Sequence, residues 1–216
     1  MWIDISHPIS AKLALYPDDE AFTINQSNFT QGKIKIVTSS IHTGLHFGTH
    51  TDAPLHFIPT GLSIDKVDLN KYIGRCQIIN LDISQRIDKI ILPSDLPNIL
   101  ETRVLIATNT FDYTQEFNPN FATLHSNLTK NLIQQNCTLI GIDTPSVDPC
   151  DQLTNFENHL QLLSNNIAII EGLKLNNIPS GIYEMIAIPL AYEGLEASPL
   201  RVLIKPIIAQ SLDLSH

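Results

Sequence analysis

At 216 residues the chain is long enough for one domain with a substantial core, and its 43% hydrophobic content marks it as globular rather than disordered. Its 22 acidic against 13 basic residues, a net charge of -9, disfavour nucleic acid and anionic membranes as partners. No apolar run is long enough to span a bilayer, and Met1 to Ser6 lack the order of a signal peptide, so a cytoplasmic location is the default expectation.

The elements follow in chain order. Trp2 to Ser6 reads as a short strand, and Tyr16-Pro17-Asp18-Asp19 as a turn. Lys33 to Ile41 alternates around Ile34, Ile36 and Val37, which predicts a strand feeding directly into a His-rich segment. Asp65 to Tyr72 suits a short helix, and Cys76 to Ile83 and Arg103 to Thr108 suit strands. Ser94 and Asp95 open a helix or turn that Pro97 limits. Leu128 to Asn136 places Leu128, Leu132 and Ile133 on one helical face. Thr138 to Ile142 is an apolar strand ending at Asp143, followed by the proline-stiffened loop Asp143 to Pro149. Thr154 to Leu163 predicts a helix burying Phe156, Leu160 and Leu163, with His159 on or near that face. Ile167 to Ile170, Glu184 to Ala191 and Arg201 to Ala209 are the remaining strands, with Pro189 and Pro206 marking edges or bulges. The expectation is one mixed α/β domain over residues 1–216, rich in strands and poor in helices. The cysteines at 76, 137 and 150 are scattered and lack motif spacing, as reduced structural thiols would be.

The segment from His46 to Phe57 carries the chemistry. His46, His50, Asp52 and His56 supply three imidazoles and a carboxylate, the donors that hold Zn²⁺ or Mn²⁺. Three ligands and a spare imidazole are the composition of a metal site that keeps a position open for water. All four positions are separated by even numbers, which puts them on one face of an extended chain. A helix would turn Asp52 away, and Gly44, Gly48 and Pro54 argue against one. A straight strand would hold His46 and Asp52 roughly 20 Å apart. The chain must therefore curl, and Gly48 is the natural place. The competing reading is that these are ordinary loop and core polar groups.

One loop rarely completes such a site, and the best distant candidates are His159 and Glu171. Glu171 ends the apolar run from Ile167, where a buried carboxylate needs a partner; a cap or a salt bridge serves as well as a metal. A lone His159 is more often a hydrogen-bonded core residue. His7, His42 and His125 fall in loops or strand edges, His216 is terminal, and Arg201 reads as a structural salt bridge rather than a carboxylate anchor.

The segment His46 to Phe57 resembles the HxGTHxDxPxHF signature of the metal-dependent cyclase/kynurenine formamidase family. Further matches are Trp2-Ile3-Asp4-Ile5-Ser6, Gly141 to Pro149, Asn158-His159, Glu171-Gly172-Leu173, and Glu193-Gly194 with Ser198-Pro199-Leu200-Arg201. They run in order along essentially the whole chain. The resemblance implies a three-layer swivelling β/β/α domain, assembled as a homodimer or higher oligomer. It implies that His46, His50 and Asp52 bind one ion, and that Asp52, His159 and Glu171 hold a second. One or two Zn²⁺ ions, or Mn²⁺, are the implied cofactors. His56 matches the family's acid/base histidine, and the implied activity is hydrolysis of N-formylkynurenine. Tyr16 stands where formamidases of the family carry the tryptophan of Trp-Pro-Gly-Asp, against the substrate. Asp18 replaces the glycine of that pattern, which is expected to remove positive φ and shift the loop. Isatin hydrolase shares the metal motif and is the alternative activity. A non-catalytic metal-binding protein is the alternative class, and His56, an imidazole beyond the ligand triad, argues against it.

Overall fold

The computed structural model describes residues 1–151 and 155–207. Thr154, where the second helix was expected to begin, the last residues of the strand expected to run to Ala209, and His216 lie outside the described residues. In chain order the strands are β1 (Ile3–Asp4), β2 (Thr23–Gln31), β3 (Ile34–His42), β4 (His50–Asp52), β5 (Ile73–Asn80), β6 (Ile90–Ile91), β7 (Arg103–Ala107), β8 (Thr123–Leu124), β9 (Leu139–Ile142), β10 (Ala168–Glu171), β11 (Gly181–Ile186), β12 (Ala197–Pro199) and β13 (Leu203–Pro206). Two α-helices accompany them among the described residues, α1 (Ser126–Gln134) and α2 (Glu157–Ser164). This is the strand-rich α/β class expected from the sequence.

Among the described residues, nine strands form one curled sheet in the order β1-β13-β11-β5-β7-β9-β10-β4-β12. Its centre, β5, β7, β9 and β10, is parallel, and antiparallel strands extend it on both sides. The parallel strands are apolar on both faces, as strands covered on both sides must be. Val104, Ile106, Ile140, Ile142 and Ile169 face Leu128 and Leu132 of α1 and Leu162 and Leu163 of α2. Their neighbours Leu105, Leu139 and Ile170 point to the other face, where the curl brings Tyr183, Met185 and Ile204 over them. Each such buried side chain contributes roughly 1.5–3 kcal/mol relative to exposure.

α1 starts where the His125 side chain accepts the Asn127 N–H at 3.1 Å, which explains that histidine structurally. The cap of α2 comes from outside the helix. Asp148 accepts the backbone N–H groups of Asn158 and His159, at 3.1 and 2.9 Å, in the first turn.

Several elements differ from expectation. β2 was not predicted; it pairs with β3 along its whole length in a separate hairpin. The short helix expected at 65–72 is two 3₁₀ turns, Ile64–Lys66 and Leu69–Tyr72. β11 begins three residues before the predicted Glu184 and stops before Ile188 and Leu190, which lie exposed on either side of Pro189. α2 buries Asn158, His159, Leu162 and Leu163, whereas Leu160 and Phe156 are exposed. Its buried face is partly polar because it serves a site rather than a core.

Candidate metal centre

β4 is the strand on which the site is built. It lies between β10 and β12, and its register places His50 directly opposite Glu171 and Asp52 opposite Ile169. Directly opposed residues of an antiparallel pair share a face, so His50, Asp52 and Glu171 all point to the helix side of the sheet. There they meet His159 from α2. His46 reaches the same point because the chain bends at Gly48, which has φ +71°. A Cβ at Gly48 would also crowd Ile9 at 2.9 Å. After β4, Pro54 opens a 3₁₀ turn, Pro54–His56, that folds His56 back beside His46, with ring centroids 4.1 Å apart.

The five donor residues converge closely. His46 Nδ1 lies 3.0 Å from Asp52 Oδ1, and His50 Nε2 lies 3.6 Å from the same oxygen and 3.3 Å from Glu171 Oε2. His159 Nε2 lies 3.5 Å from Asp52 Oδ2 and 3.2 Å from Glu171 Oε1. Two triads share Asp52: His46, His50 and Asp52, and Asp52, His159 and Glu171, with the donor atoms of each within 4.8 Å of one another. Glu196, which the sequence reading missed, adds a carboxylate 3.6 Å from His46 Nε2.

These contacts do not satisfy the groups that make them. Both oxygens of Asp52, His46 Nε2 and His50 Nε2 are buried and make no hydrogen bond. A buried carboxylate with neither oxygen hydrogen-bonded is costly, and a dication is one of the few partners that removes the cost. The donor set, imidazole nitrogen and carboxylate oxygen, suits Zn²⁺ or Mn²⁺. The surrounding bonds prepare the ligands for that role. The His50 Nδ1–H donates to the Gly48 carbonyl at 3.0 Å, and the His159 Nδ1–H donates to Asp148 at 2.7 Å, which leaves each Nε2 lone pair directed into the site. Glu171 accepts the Val147 N–H at 2.8 Å.

The titration of the cluster reflects crowded opposite charges. Burial alone would lower the His46 pKa, but Asp52, with Glu171 and Glu196 beyond, raises it to about 9. Burial likewise opposes the charged form of His159, but the hydrogen bond to Asp148 and the close carboxylates of Asp52 and Glu171 raise its pKa well above the usual value. Burial would push Asp52 up, yet His46 and His159 hold it well below the carboxylate range. Without a metal, protons on His46 and His159 balance the acids, and an ion bound there would displace them.

A pocket of about 240 Å³ opens onto the cluster. Its walls are aromatic: Tyr16, Phe57, Phe111, Tyr113, Phe117 and Phe156. Tyr16 meets Phe117 edge-on at 5.1 Å, and Phe57 stacks on His159 at 4.6 Å. Burial and a hydrogen bond with Cys150 push the Tyr16 phenol up, so it stays protonated. Asp18 adopts φ +67°, so the turn keeps the left-handed geometry that its replacement of glycine was expected to remove. Aspartate is one of the few residues that tolerates this conformation. Asp19 lies on the pocket wall, half-buried. Arg201 is remote from the pocket and pairs with Asp4 at 2.8 Å, the structural role expected for it.

The sequence reading missed Asp148, which both caps α2 and orients His159. It also missed the wall formed by Phe111, Tyr113 and Phe117. The signal for the wall was present, since Phe111, Tyr113, Phe117 and Phe121 concentrate four aromatic rings in one short stretch.

A family model described as "Putative cyclase" matches residues 3–149. The chain belongs to the cyclase family. A kynurenine formamidase of Bacillus cereus is 34% identical over 209 residues, covering 95% of this chain and 98% of the relative. A solved structure described as a predicted metal-dependent hydrolase from Bacillus stearothermophilus is 29% identical, with a TM-score of 0.77 over 94% of this chain and 97% of that one. Isatin hydrolase A of Labrenzia aggregata has the same fold, with a TM-score of 0.77 at 20% identity over 94% of this chain and 93% of its own.

Proposed function

We propose that this cyclase-family chain is a metal-dependent hydrolase of small aryl amides, and that its substrate is N-formylkynurenine, cleaved to kynurenine and formate. The observation that carries this reading is the group of buried, unsatisfied donors on His46, His50 and Asp52 facing an aromatic pocket. The kinship with kynurenine formamidases supports the choice of substrate. His46, His50 and Asp52 would hold one Zn²⁺ or Mn²⁺, and Asp52, His159 and Glu171 a second. An ion held there would supply Lewis acidity and bring the pKa of a water down towards neutrality.

The chain's own residues account for the other requirements. Tyr16 offers a ring face to the aryl group, and the phenylalanines exclude water from it. An aryl amine leaves poorly as an anion and needs a proton. His56 sits beside His46 on the pocket wall with no side-chain hydrogen bond among the described residues, so an imidazole nitrogen is free to take a proton from water and return it to the departing nitrogen. The same reading takes residues 1–216 as one domain, cytoplasmic and working as a homodimer on a small molecule.

The test is a panel of N-formylkynurenine, isatin and simple aryl formamides with metal-loaded protein and its His56→Ala variant. Hydrolysis of N-formylkynurenine, reduced about 10²- to 10⁴-fold in the variant, is expected. Negligible turnover of N-formylkynurenine beside robust turnover of another member would overturn the substrate. Full turnover by His56→Ala would overturn the proton carrier.

A further inference from the structure

The pocket wall carries a hydroxyl that the fold does not employ. Tyr113 is only 4% exposed and lines the pocket. Its ring is held between His7 and Phe111, with centroids 4.5 and 4.8 Å away, and its backbone carbonyl accepts the Ala14 N–H at 2.8 Å. The Tyr113 hydroxyl donates no hydrogen bond among the described residues. The other buried tyrosines differ: the Tyr72 hydroxyl meets Thr51 at 3.2 Å, and the Tyr183 hydroxyl donates to the Pro179 carbonyl at 2.9 Å. A buried hydroxyl without a partner costs free energy, and a phenylalanine would keep both ring contacts without that cost. Positions 111 and 117 of the same wall are phenylalanine. The oxygen at 113 calls for an acceptor that enters the pocket.

Its position indicates which acceptor. A Cβ on Gly172 would stand 2.8 Å from the Tyr113 hydroxyl, and the same Cβ would run into the Gly48 carbonyl that orients His50. The hydroxyl therefore lies against the residue that follows Glu171, at the end of the pocket where the metal donors converge. Burial, with Glu171 and Asp143 nearby, pushes the phenol well above its usual value, so it stays a neutral donor.

We propose that the Tyr113 hydroxyl is a catalytic group that donates a hydrogen bond to the carbonyl oxygen of the amide and holds that oxygen as it becomes an anion. The proposal rests on the amide-hydrolase reading of the site. Water adds to the carbonyl carbon and gives a proton to His56, and the C–O π pair moves onto oxygen. The Tyr113 O–H donates to that oxygen and keeps its own proton. When the C–N bond breaks, the pair returns to the C–O bond, and the departing nitrogen takes the bonding pair and the proton from His56. A hydrogen bond stronger to the oxyanion than to the neutral carbonyl lowers the barrier without tightening substrate binding. The same donor serves open-chain and cyclic amides alike.

Tyr113→Phe removes one oxygen and keeps the ring. The metal-loaded wild type and variant are compared in kcat and KM on N-formylkynurenine, isatin and N-formylaniline, with Zn²⁺ affinity by chelator competition and urea midpoints measured beside them. On every substrate that the wild type hydrolyses, kcat is expected to fall about 10²-fold, and at least tenfold, with KM and Zn²⁺ affinity within about threefold and the fold intact. A loss of kcat below tenfold would overturn the inference. So would a rise in KM at unchanged kcat, which marks contact with another part of the substrate, or a fall in kcat matched by lost Zn²⁺ affinity, which marks support of the ligands. A wild type that hydrolyses none of the three would instead overturn the amide-hydrolase reading, and the inference with it.

Discussion

Replacing Asp148 by Asn changes one atom of a buried carboxylate and should uncouple His159 from the metal centre. The two Asp148 oxygens accept four N–H groups: the backbone and side-chain N–H of Asn158 at 3.1 and 2.8 Å, and the backbone and Nδ1–H of His159 at 2.9 and 2.7 Å. An amide has one accepting oxygen, so either the Asn158 pair or the His159 pair faces an N–H donor instead. If the oxygen turns to Asn158, the His159 ring loses its anchor and its tautomer is no longer fixed. If it turns to His159, the Asn158 pair is lost, and with it part of the cap that holds the first turn of α2, and so His159, in place. Outer partners of metal-bound histidines are each worth about 10- to 100-fold in affinity, or about 1.4–2.7 kcal/mol. Competition of the Asp148→Asn protein against a chromophoric chelator for Zn²⁺ should show a loss in that range for the ion that His159 would hold, at unchanged secondary structure. Affinity within twofold of wild type, with the protein folded, would refute the positioning role.

Gly172 has φ +66°, and a Cβ there would run into the Gly48 carbonyl, the acceptor that orients His50. Gly172→Ala should therefore cost about 2–4 kcal/mol in urea unfolding and weaken metal binding as well. Asp18→Gly should stabilise the protein by up to about 1 kcal/mol, because it relieves a left-handed backbone at a turn whose side chain makes no hydrogen bond among the described residues. Burial lowers the His7 pKa to about 4, so the folded state keeps it neutral while the unfolded state takes up a proton near 6.5. The unfolded chain then binds more protons between these values, and stability due to His7 is present above 6.5 and lost as the pH falls towards 4. Urea midpoints followed over that window should fall less steeply for His7→Phe than for wild type.

The parts of the fold that were legible in the sequence are those where burial and chain geometry coincide. β9 and β10 are short apolar runs because both their faces are covered, and the end of the run at Glu171 marked a carboxylate needing a partner. The even spacing of His50 and Asp52, with a bend at Gly48, is the geometry of β4 and its approach. What was illegible lacked that link. β2, Thr-Ile-Asn-Gln-Ser-Asn-Phe-Thr-Gln, has no apolar alternation because neither face is buried; cross-strand bonds to β3 define it. The α2 face was misjudged because periodicity counts apolar residues, whereas this helix buries Asn158 and His159 against Asp148. Asp148 itself looked like a loop residue, since its partners lie ten and eleven positions away and only the fold brings them to it.

The most direct test of the metal centre is titration of chelator-stripped protein with Zn²⁺ and with Mn²⁺, following bound ion and N-formylkynurenine hydrolysis in the same samples, beside His50→Ala and Glu171→Gln. Hydrolysis should be absent from stripped protein, rise in proportion to bound ion to a limit of one or two per chain, and fail in both variants together with binding. Full hydrolysis without bound metal, or undiminished binding in both variants, would contradict the account.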